Sequence, residues 1–539
     1  MINLFKGIAI AIIFELSLHI ANGQCLGGWA KQGGSPNDHD RAFAVATDNS
    51  GNVYVAGHYT DTAVFSGITL ISSSYEDIFL AKYDANGNLL WIKSAGGYNI
   101  DAPSSIALDN NNNIYMTGVN FGTAVFDTIT LNNTSGFPNG FAAKYDSAGN
   151  VKWAKSIGNT DWDQVGGIAV LNNDLYICGT FSLSIVLGST TLTSYGQRDF
   201  FIAKMDLNGN YLWAHSAGSA QNDGGVSLAI DGAGNIFVTG SFFADMTIGS
   251  TVLINQGYYD MFLAKYDNNG NMLWAKSAGG YLDDFVSGLA IDSGSNIYVS
   301  MGASTACIFG PITVNTYGDK DIMLARYDSS GNIIWVENTG GINRDIGGGV
   351  VVANNNKIYQ TGHFEGNATF GTVTLNLPGI DYIFLAEYDS SGIVNSVKHA
   401  GGVQYDHGSG VACDNNSNVY VCGNFINTAS FDLITLTADT NGGDAFIWKA
   451  CNGITGIDTP AELIKTSLYP NPFYDLLNIR VNNNELSEVI IYEITSRKIL
   501  YQRFANSVSL NTKQLAKGIY IYEIRNKNNV IGKGETIKE

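Results

Sequence analysis

Charge is scarce in this chain. Only 14% of its 539 residues are Asp, Glu, Lys or Arg, where soluble domains carry about a quarter. Basic residues are the minority, 29 against 48 acidic, for a net charge of −19; that balance argues against nucleic acid or an anionic membrane surface as a partner. Proline is rare too, at 8 residues. No segment after the N-terminus has the run of about 20 apolar residues that a transmembrane helix needs. H-E-x-x-H, G-x-S-x-G and C-x-x-C are all missing, so no hydrolase or metal signature is written locally.

What is present reads as β-structure. Hydrophobic residues make up 45% of the chain, enough to bury a large core and to exclude disorder for most of it. Aromatics at 12% and 63 glycines suggest many short strands joined by tight turns.

The two ends differ from the middle. Lys6, the apolar run Ile8 to Phe14 and the small-residue site Ala21-Asn22-Gly23 read as a secretory signal over residues 1–23. Cys25 follows Gln24, which stands where a lipid-anchor signal needs a small residue, so no lipid anchor is expected. From about Leu468 short alternating strands such as VIIYEI and GIYIYEI suggest a small β-sandwich. Residues 24–455 hold 17 basic and 38 acidic residues, a net −21, while the segment from Gly456 onward is +2.

Between the ends lies a repeat. Trp29, Trp91, Trp153, Trp213, Trp274 and Trp335 each open a W-[AIV]-[KHE] triplet, and a seventh copy without Trp begins at Ser396. FLAKYD-type segments begin at Phe79, Phe141, Phe201, Phe262, Met323, Phe384 and Phe446. NIYVTG-type segments end at Gly57, Gly118, Gly179, Gly240, Gly362 and Gly423, and the fifth copy reads Met301-Gly302. Each repeat of 60 to 62 residues predicts four strands of period-two alternation. D-x-x-G-N-like turns join them, and a Thr- and Gly-rich segment of about 20 residues separates the second strand from the third. The expected fold is all-β: a seven-bladed β-propeller of four-stranded antiparallel blades over residues 24–452, a linker over 453–467 and a small β-sandwich over 468–539. Because the chain starts on the Trp strand and stops after the FLAKYD strand, the first strand should complete the last blade in a Velcro closure. Aligned on the hairpin from Asp84 to Trp91, Cys451 falls on Asp84 and Cys25 on Gly87, the two ends of a tight turn. That spacing predicts a Cys25–Cys451 disulfide across the seam. Cys178, Cys307, Cys413 and Cys422 are expected to be small core thiols.

Two resemblances sharpen this reading. The repeats resemble the SBBP type of β-propeller repeat. Tyr469-Pro470-Asn471-Pro472, then Lys517-Gly518 and Tyr520 before a lysine-bearing tail, resemble the C-terminal sorting domain of the type IX (Por) secretion system. The second resemblance implies a bacterium of the Bacteroidota group, contact with the secretion machinery, and delivery across the outer membrane to the extracellular space or the cell surface. KYDxxGNxLW is also similar to the blade-docking motif of quinone-dependent dehydrogenases, but their cofactor residues have no counterpart, and no cofactor is expected.

The most regular polar feature is one aspartate per repeat: Asp40, Asp101, Asp163, Asp223, Asp284, Asp345 and Asp406. They could ring one mouth of the channel as a cation or basic-ligand site. They could instead accept backbone N–H bonds at a crowded turn, and their presence in every repeat favours that structural role. The D-x-x-G-N turns offer too few oxygens for a calcium loop. The Trp row reads as blade packing, whereas Trp162 lies off the repeat register and is a candidate surface contact. The histidines are scattered over different repeats without ligand spacing. No catalytic, cofactor or metal residue is therefore assigned. The expected function is an exported, non-catalytic binding or adhesion module for a polysaccharide or surface protein, using seven sets of long loops as its recognition face. A carbohydrate-active enzyme with a site at the channel mouth and a scaffold of a surface assembly are the alternatives.

Overall fold

The structure, a computed structural model, describes residues 28–36, 39–158, 160–438, 442–450, 466–469, 473–481, 486–493, 497–526 and 529–538. All regular structure among them is β-strand, and among these described residues no helix is long and apolar enough to cross a membrane. The chain divides into two compact units, Met1–Ile457 and Asp458–Glu539.

In the first unit each repeat forms one antiparallel sheet, paired in the order first, second, third, fourth strand. The second repeat shows the pattern with Asp101–Leu108, Ile114–Asn120, Asn139–Tyr145 and Val151–Ile157. Pairings among the described residues make up seven such four-stranded sheets. Their first strands are Arg41–Thr47, Asp101–Leu108, Gln164–Leu171, Asp223–Ile230, Asp284–Ile291, Asp345–Val352 and His407–Cys413. Each of them touches the next, and the last touches the first, so they enclose a central cavity of about 630 Å³. The seam is closed as the repeat order requires. Trp29–Gly34 pairs with Gly443–Ala450, placing Trp29 opposite Lys449 and Gly33 opposite Ala445. A ring closed this way leaves no open edge in its hydrogen-bond ladder.

The core lies between neighbouring sheets. Tyr176, Cys178, Phe200 and Ile202 of the third repeat pack against Ile236, Val238 and Phe262 of the fourth in one buried cluster. The repeated motifs explain the docking. The outer-strand Trp of one repeat donates its indole N–H to a turn carbonyl of the next: Trp29 to Ala85 (3.0 Å), Trp153 to Leu207 (3.1 Å), Trp213 to Asn268 (3.2 Å) and Trp335 to Ser390 (3.1 Å). The basic residue of FLAKYD reaches the same carbonyl in several repeats, as Lys144 Nζ does to Leu207 at 3.1 Å. In the turns that keep both Asp and Asn, the Asp carboxylate accepts on both oxygens. Asp84 Oδ1 accepts from the N–H groups of Asn86 and Asn88, and its Oδ2 from the Asn88 side-chain amide. Such an Asx turn uses up the oxygens that calcium would need.

One expectation is overturned. The segments between second and third strands are hairpins rather than long loops. Val53–Phe65 runs through a tight turn into Ile68–Tyr83, and shorter pairs such as Ala124–Phe126 with Ile129–Leu131 serve elsewhere. Six of these hairpins pair with the end of the preceding sheet's outer strand among the described residues, with Gly33 opposite Phe65, Gly96 opposite Val125 and Ala400 opposite Phe431 as examples. The backbones there are so close that a Cβ on Gly97 would lie 1.8 Å from the Thr123 carbonyl oxygen. The paired Gly residues of the A-G-G stretch are what admit the neighbour.

Cys178, Cys307 and Cys422 are buried and Cys413 half-buried, all as free thiols. Cys25 and Cys451 lie outside the described residues, as do residues 1–23.

The second unit is a two-sheet sandwich. Thr466–Tyr469, Leu476–Val481 and Ser507–Asn511 form one sheet, and Lys498–Ala505, Leu486–Glu493, Gly518–Asn526 and Asn529–Lys538 the other. Phe473, Leu477, Ile479, Val489, Ile491 and Tyr520 share its core. Tyr520 donates its hydroxyl to the Ala516 carbonyl (2.7 Å), across the exposed Lys517 and the strand-opening Gly518. Pro470, Asn471 and Pro472 lie outside the described residues.

Candidate functional site

The seven aspartates gather at one end of the first unit. All are buried, and only Asp223 lines the central cavity. Their partners are backbone N–H groups of the incoming loop: Ser35 to Asp40 (2.6 Å), Gly97 to Asp101 (2.7 Å), Ser219 to Asp223 (2.5 Å), Gly280 to Asp284 (2.6 Å), Gly341 to Asp345 (2.6 Å) and Gly402 to Asp406 (2.6 Å). Several accept a second N–H from the end of the neighbouring strand, as Asp40 does from Thr60 (2.8 Å) and Asp406 from Ile426 (2.9 Å). Asp163 accepts from Ser182 N–H at 2.9 Å. Burial outweighs these donors and pushes the carboxyls up, Asp40 and Asp406 to about 6, Asp223, Asp284 and Asp345 to about 7, and Asp101 to about 8.

A second buried series, unremarked in the sequence reading, stands beside the first. Asp444, Asn139 and Tyr382 hold the place two residues before the FLAKYD motif in repeats seven, two and six, and Asp77, Asp199, Asp260 and Asp321 hold it in the other four. Each of these last four aspartates clamps the loop before it, accepting from Ser73 N–H (2.9 Å), Tyr195 N–H (2.6 Å), Gln256 N–H (2.5 Å) and Tyr317 N–H (2.5 Å) respectively. The fixed offset from FLAKYD was the signal that could have found them. Their charges add to the upward push on Asp101, Asp223, Asp284 and Asp345.

The clamped loops carry aromatic side chains outward. Among the described residues of the first unit, the exposed large aromatics are Tyr75, Tyr98, Phe137, Tyr195, Tyr258, Tyr281, Phe285, Tyr317 and Tyr405. At the aspartate end, Tyr75 and Tyr195 lie within the long strands Ile68–Tyr83 and Thr190–Asp206, at the register shifts between Ile71 and Glu76 and between Thr193 and Arg198, and the others lie in loops or at a strand start. Tyr98, Tyr195 and Tyr281 are more than 70% exposed, which is costly for so large a ring unless something covers it. Cations share this end: Arg198 lies over the half-buried Trp162 (4.5 Å to the ring centre), Lys320 over Phe285 (4.9 Å) and Arg41 over Phe43 (5.1 Å). Trp162 also meets Phe121 edge-on at 6.0 Å.

The expectation of scattered histidines is corrected at the same rim. His363 follows Gly362 on the second strand of repeat six, and His407 follows Asp406 on the first strand of repeat seven. Their rings stack with centres 3.9 Å apart. Asp381, at the start of the third-strand core of repeat six, places its Oδ2 3.3 Å from His407 Nε2. His363 is 9% exposed and its Nδ1 has no hydrogen-bond partner. Burial first, then the neighbouring His407, Arg41 and Arg344, push its imidazole well below the usual range, so it is neutral at pH 7.

Residues 28–58 match the family profile described as a β-propeller repeat, SBBP, and residues 467–538 match the secretion system C-terminal sorting domain. The sorting domain marks the chain for the type IX machinery and for secretion across the outer membrane, to the cell surface or the extracellular space. An uncharacterized WD repeat-containing protein of Acanthamoeba polyphaga mimivirus is 26% identical over 60% of this chain and 29% of its own length. The regulatory protein FlaEY of Caulobacter vibrioides is 28% identical over 25% of this chain and 15% of its own length. The chain thus spans less than a third of either relative. A solved structure of a catalytically inactive virginiamycin B lyase from Staphylococcus aureus with quinupristin covers 78% of this chain and 99% of that one, at 8% identity and a TM-score of 0.39.

Proposed function

Taking as premise an exported SBBP-repeat propeller with a secretion sorting domain, we propose that the first unit is a non-catalytic binding module, and that its recognition face is the aspartate end of the ring. The observation that carries this reading is the collection of exposed tyrosines on loops that buried aspartates hold rigid. A ring held this way loses little conformational entropy on binding, and tyrosine offers an apolar face with a polar tip. Sugar rings present flat C–H faces to such platforms, so a polysaccharide is the favoured ligand. Arg198, Lys320 and Arg41 at the same end favour acidic sugars within that class.

The test is a glycan and matrix-protein array probed with the oxidised mature chain and with a Tyr195→Ala/Tyr281→Ala/Tyr317→Ala variant. Saturable binding to acidic glycans, weakened at least about tenfold in the variant, supports the reading. Binding that ignores the three tyrosines places recognition elsewhere, and silence on every glycan and protein counts against a binding module. The alternative of a carbohydrate-active enzyme is favoured by one observation, the His363–Asp381–His407 cluster. Release of reducing ends in the same wells would replace the first reading with it.

A further inference from the structure

We propose that His363, Asp381 and His407 form a site for one divalent transition-metal ion of the zinc class at the rim of the central channel. One ligand atom from each of the three lies within 4.8 Å of the other two. Two metal–ligand bonds of about 2.0–2.1 Å at a tetrahedral angle hold their donor atoms about 3.3 Å apart. His407 Nε2 and Asp381 Oδ2 already stand at 3.3 Å. Bringing the third donor to the same centre takes a turn of one stacked imidazole, so that both ring planes meet at the ion. Two imidazoles and a carboxylate suit zinc, nickel, copper or iron better than calcium or magnesium, which prefer oxygen.

The supporting feature is the buried His363 imidazole with its unpartnered Nδ1; its stack on His407 is the arrangement that an ion would have to open. A buried polar nitrogen without a partner is costly, and a bound cation satisfies it. The charge around the cluster is mixed. Arg41 and Arg344 act on His363, while the buried carboxyls Asp345 and Asp406 lie within electrostatic range of Asp381. The first repeat supplies an internal comparison. His58 Nδ1 pairs with Glu76 Oε2 at 3.0 Å in the corresponding position, but Ala102 stands where His407 stands, so the third ligand is missing there. The site is therefore a departure of repeats six and seven from the common pattern. Three protein ligands leave one position of a tetrahedral ion open, and the His407 side chain is 25% exposed.

The experiment uses the full mature chain, stripped with chelator and titrated with Zn2+ by calorimetry and with Co2+ by visible absorption. One equivalent should bind, with the absorption bands of tetrahedral Co2+. Asp381→Asn and His407→Ala should each weaken binding at least about tenfold, while His215→Ala on an outer strand should not. Neither tested side chain is fully buried, and melting curves of both variants check that they fold. No uptake by the wild-type chain, or unchanged affinity in both variants, overturns the proposal. The readout needs no glycan, so it stands or falls separately from the recognition face.

Discussion

Trp153 donates its indole N–H to the Leu207 carbonyl at 3.1 Å, and Gly209 of the same turn lies against its ring. This one contact couples two motifs of adjacent repeats: the tryptophan of the outer strand and the glycine of the D-x-x-G-N turn. Gly209 has φ +81°, and a Cβ there would stand 3.2 Å from the Trp153 ring and 2.9 Å from Lys155 Cε. Gly209→Val should therefore cost about 2 kcal/mol or more through strain and lost docking. Trp153→Phe should cost about 1–2 kcal/mol, chiefly the unpaired carbonyl and the lost contact area. Urea denaturation of the two variants checks both values. A wild-type midpoint for Gly209→Val would mean the turn does not dock on the tryptophan.

Stability should fall on the alkaline side. Asp40, Asp101, Asp223, Asp284, Asp345 and Asp406 have carboxyls raised to between about 6 and about 8 in the folded chain, against 3.8 without the fold. Within that window the folded state holds more protons than the unfolded one, so stability declines as pH rises. The contribution is fully present below about pH 4 and is lost as pH passes through 6 to 8. The turn aspartates Asp84, Asp206, Asp267 and Asp328 are shifted down by their Asn partners and backbone N–H groups, so their contribution is lost in acid instead. Melting temperature should be highest near pH 4 and fall from there to pH 8.5. Asp101→Asn should flatten that drop, and a melting temperature that rises from pH 5 to 8.5 would contradict the burial argument.

Cys25 and Cys451 should be disulfide-bonded in the exported chain. Trp29 and Lys449, opposite one another on the closing strands, lie four and two residues from them. Peptide mapping without reductant should recover the linked pair. Cys25→Ser should lower stability by about 2–4 kcal/mol, and two free thiols at these positions would refute the linkage.

Asp199 holds the loop of Tyr195 through a 2.6 Å bond from that residue's own N–H. Asp199→Ala should leave this donor unpaired and cost about 1–3 kcal/mol. Hydrogen exchange should speed up locally at residues 194–198 without change in the outer strands. Uniform protection in the variant would show that the loop is ordered by something else.

Removal of residues 467–538 should stop the chain before the outer membrane. Cell fractionation of a strain expressing the truncated protein should find it in the periplasm, and its appearance in the medium would show that the matched sorting domain is dispensable.

Much of this protein is written locally in its sequence. The tryptophans, the FLAKYD segments and the D-x-x-G-N turns repeat because the sheets need the same hairpins and the same docking contact, and a contact made again from sheet to sheet leaves a period. The seam was legible for the same reason: a strand missing at one end and supplied at the other can only be a shared sheet. Tertiary structure decided the rest. The 20-residue Thr- and Gly-rich segments became hairpins because the A-G-G stretch of the preceding sheet admits a strand, a partner that no local pattern displays. His363 and His407, 44 residues apart, meet because packing of consecutive sheets lays the first strand of one against the second strand of its neighbour. That neighbour relation belongs to the ring, where residues far apart along the chain become adjacent across a sheet interface, and it is there that the aspartate-clamped tyrosines and the histidine pair were brought to one face.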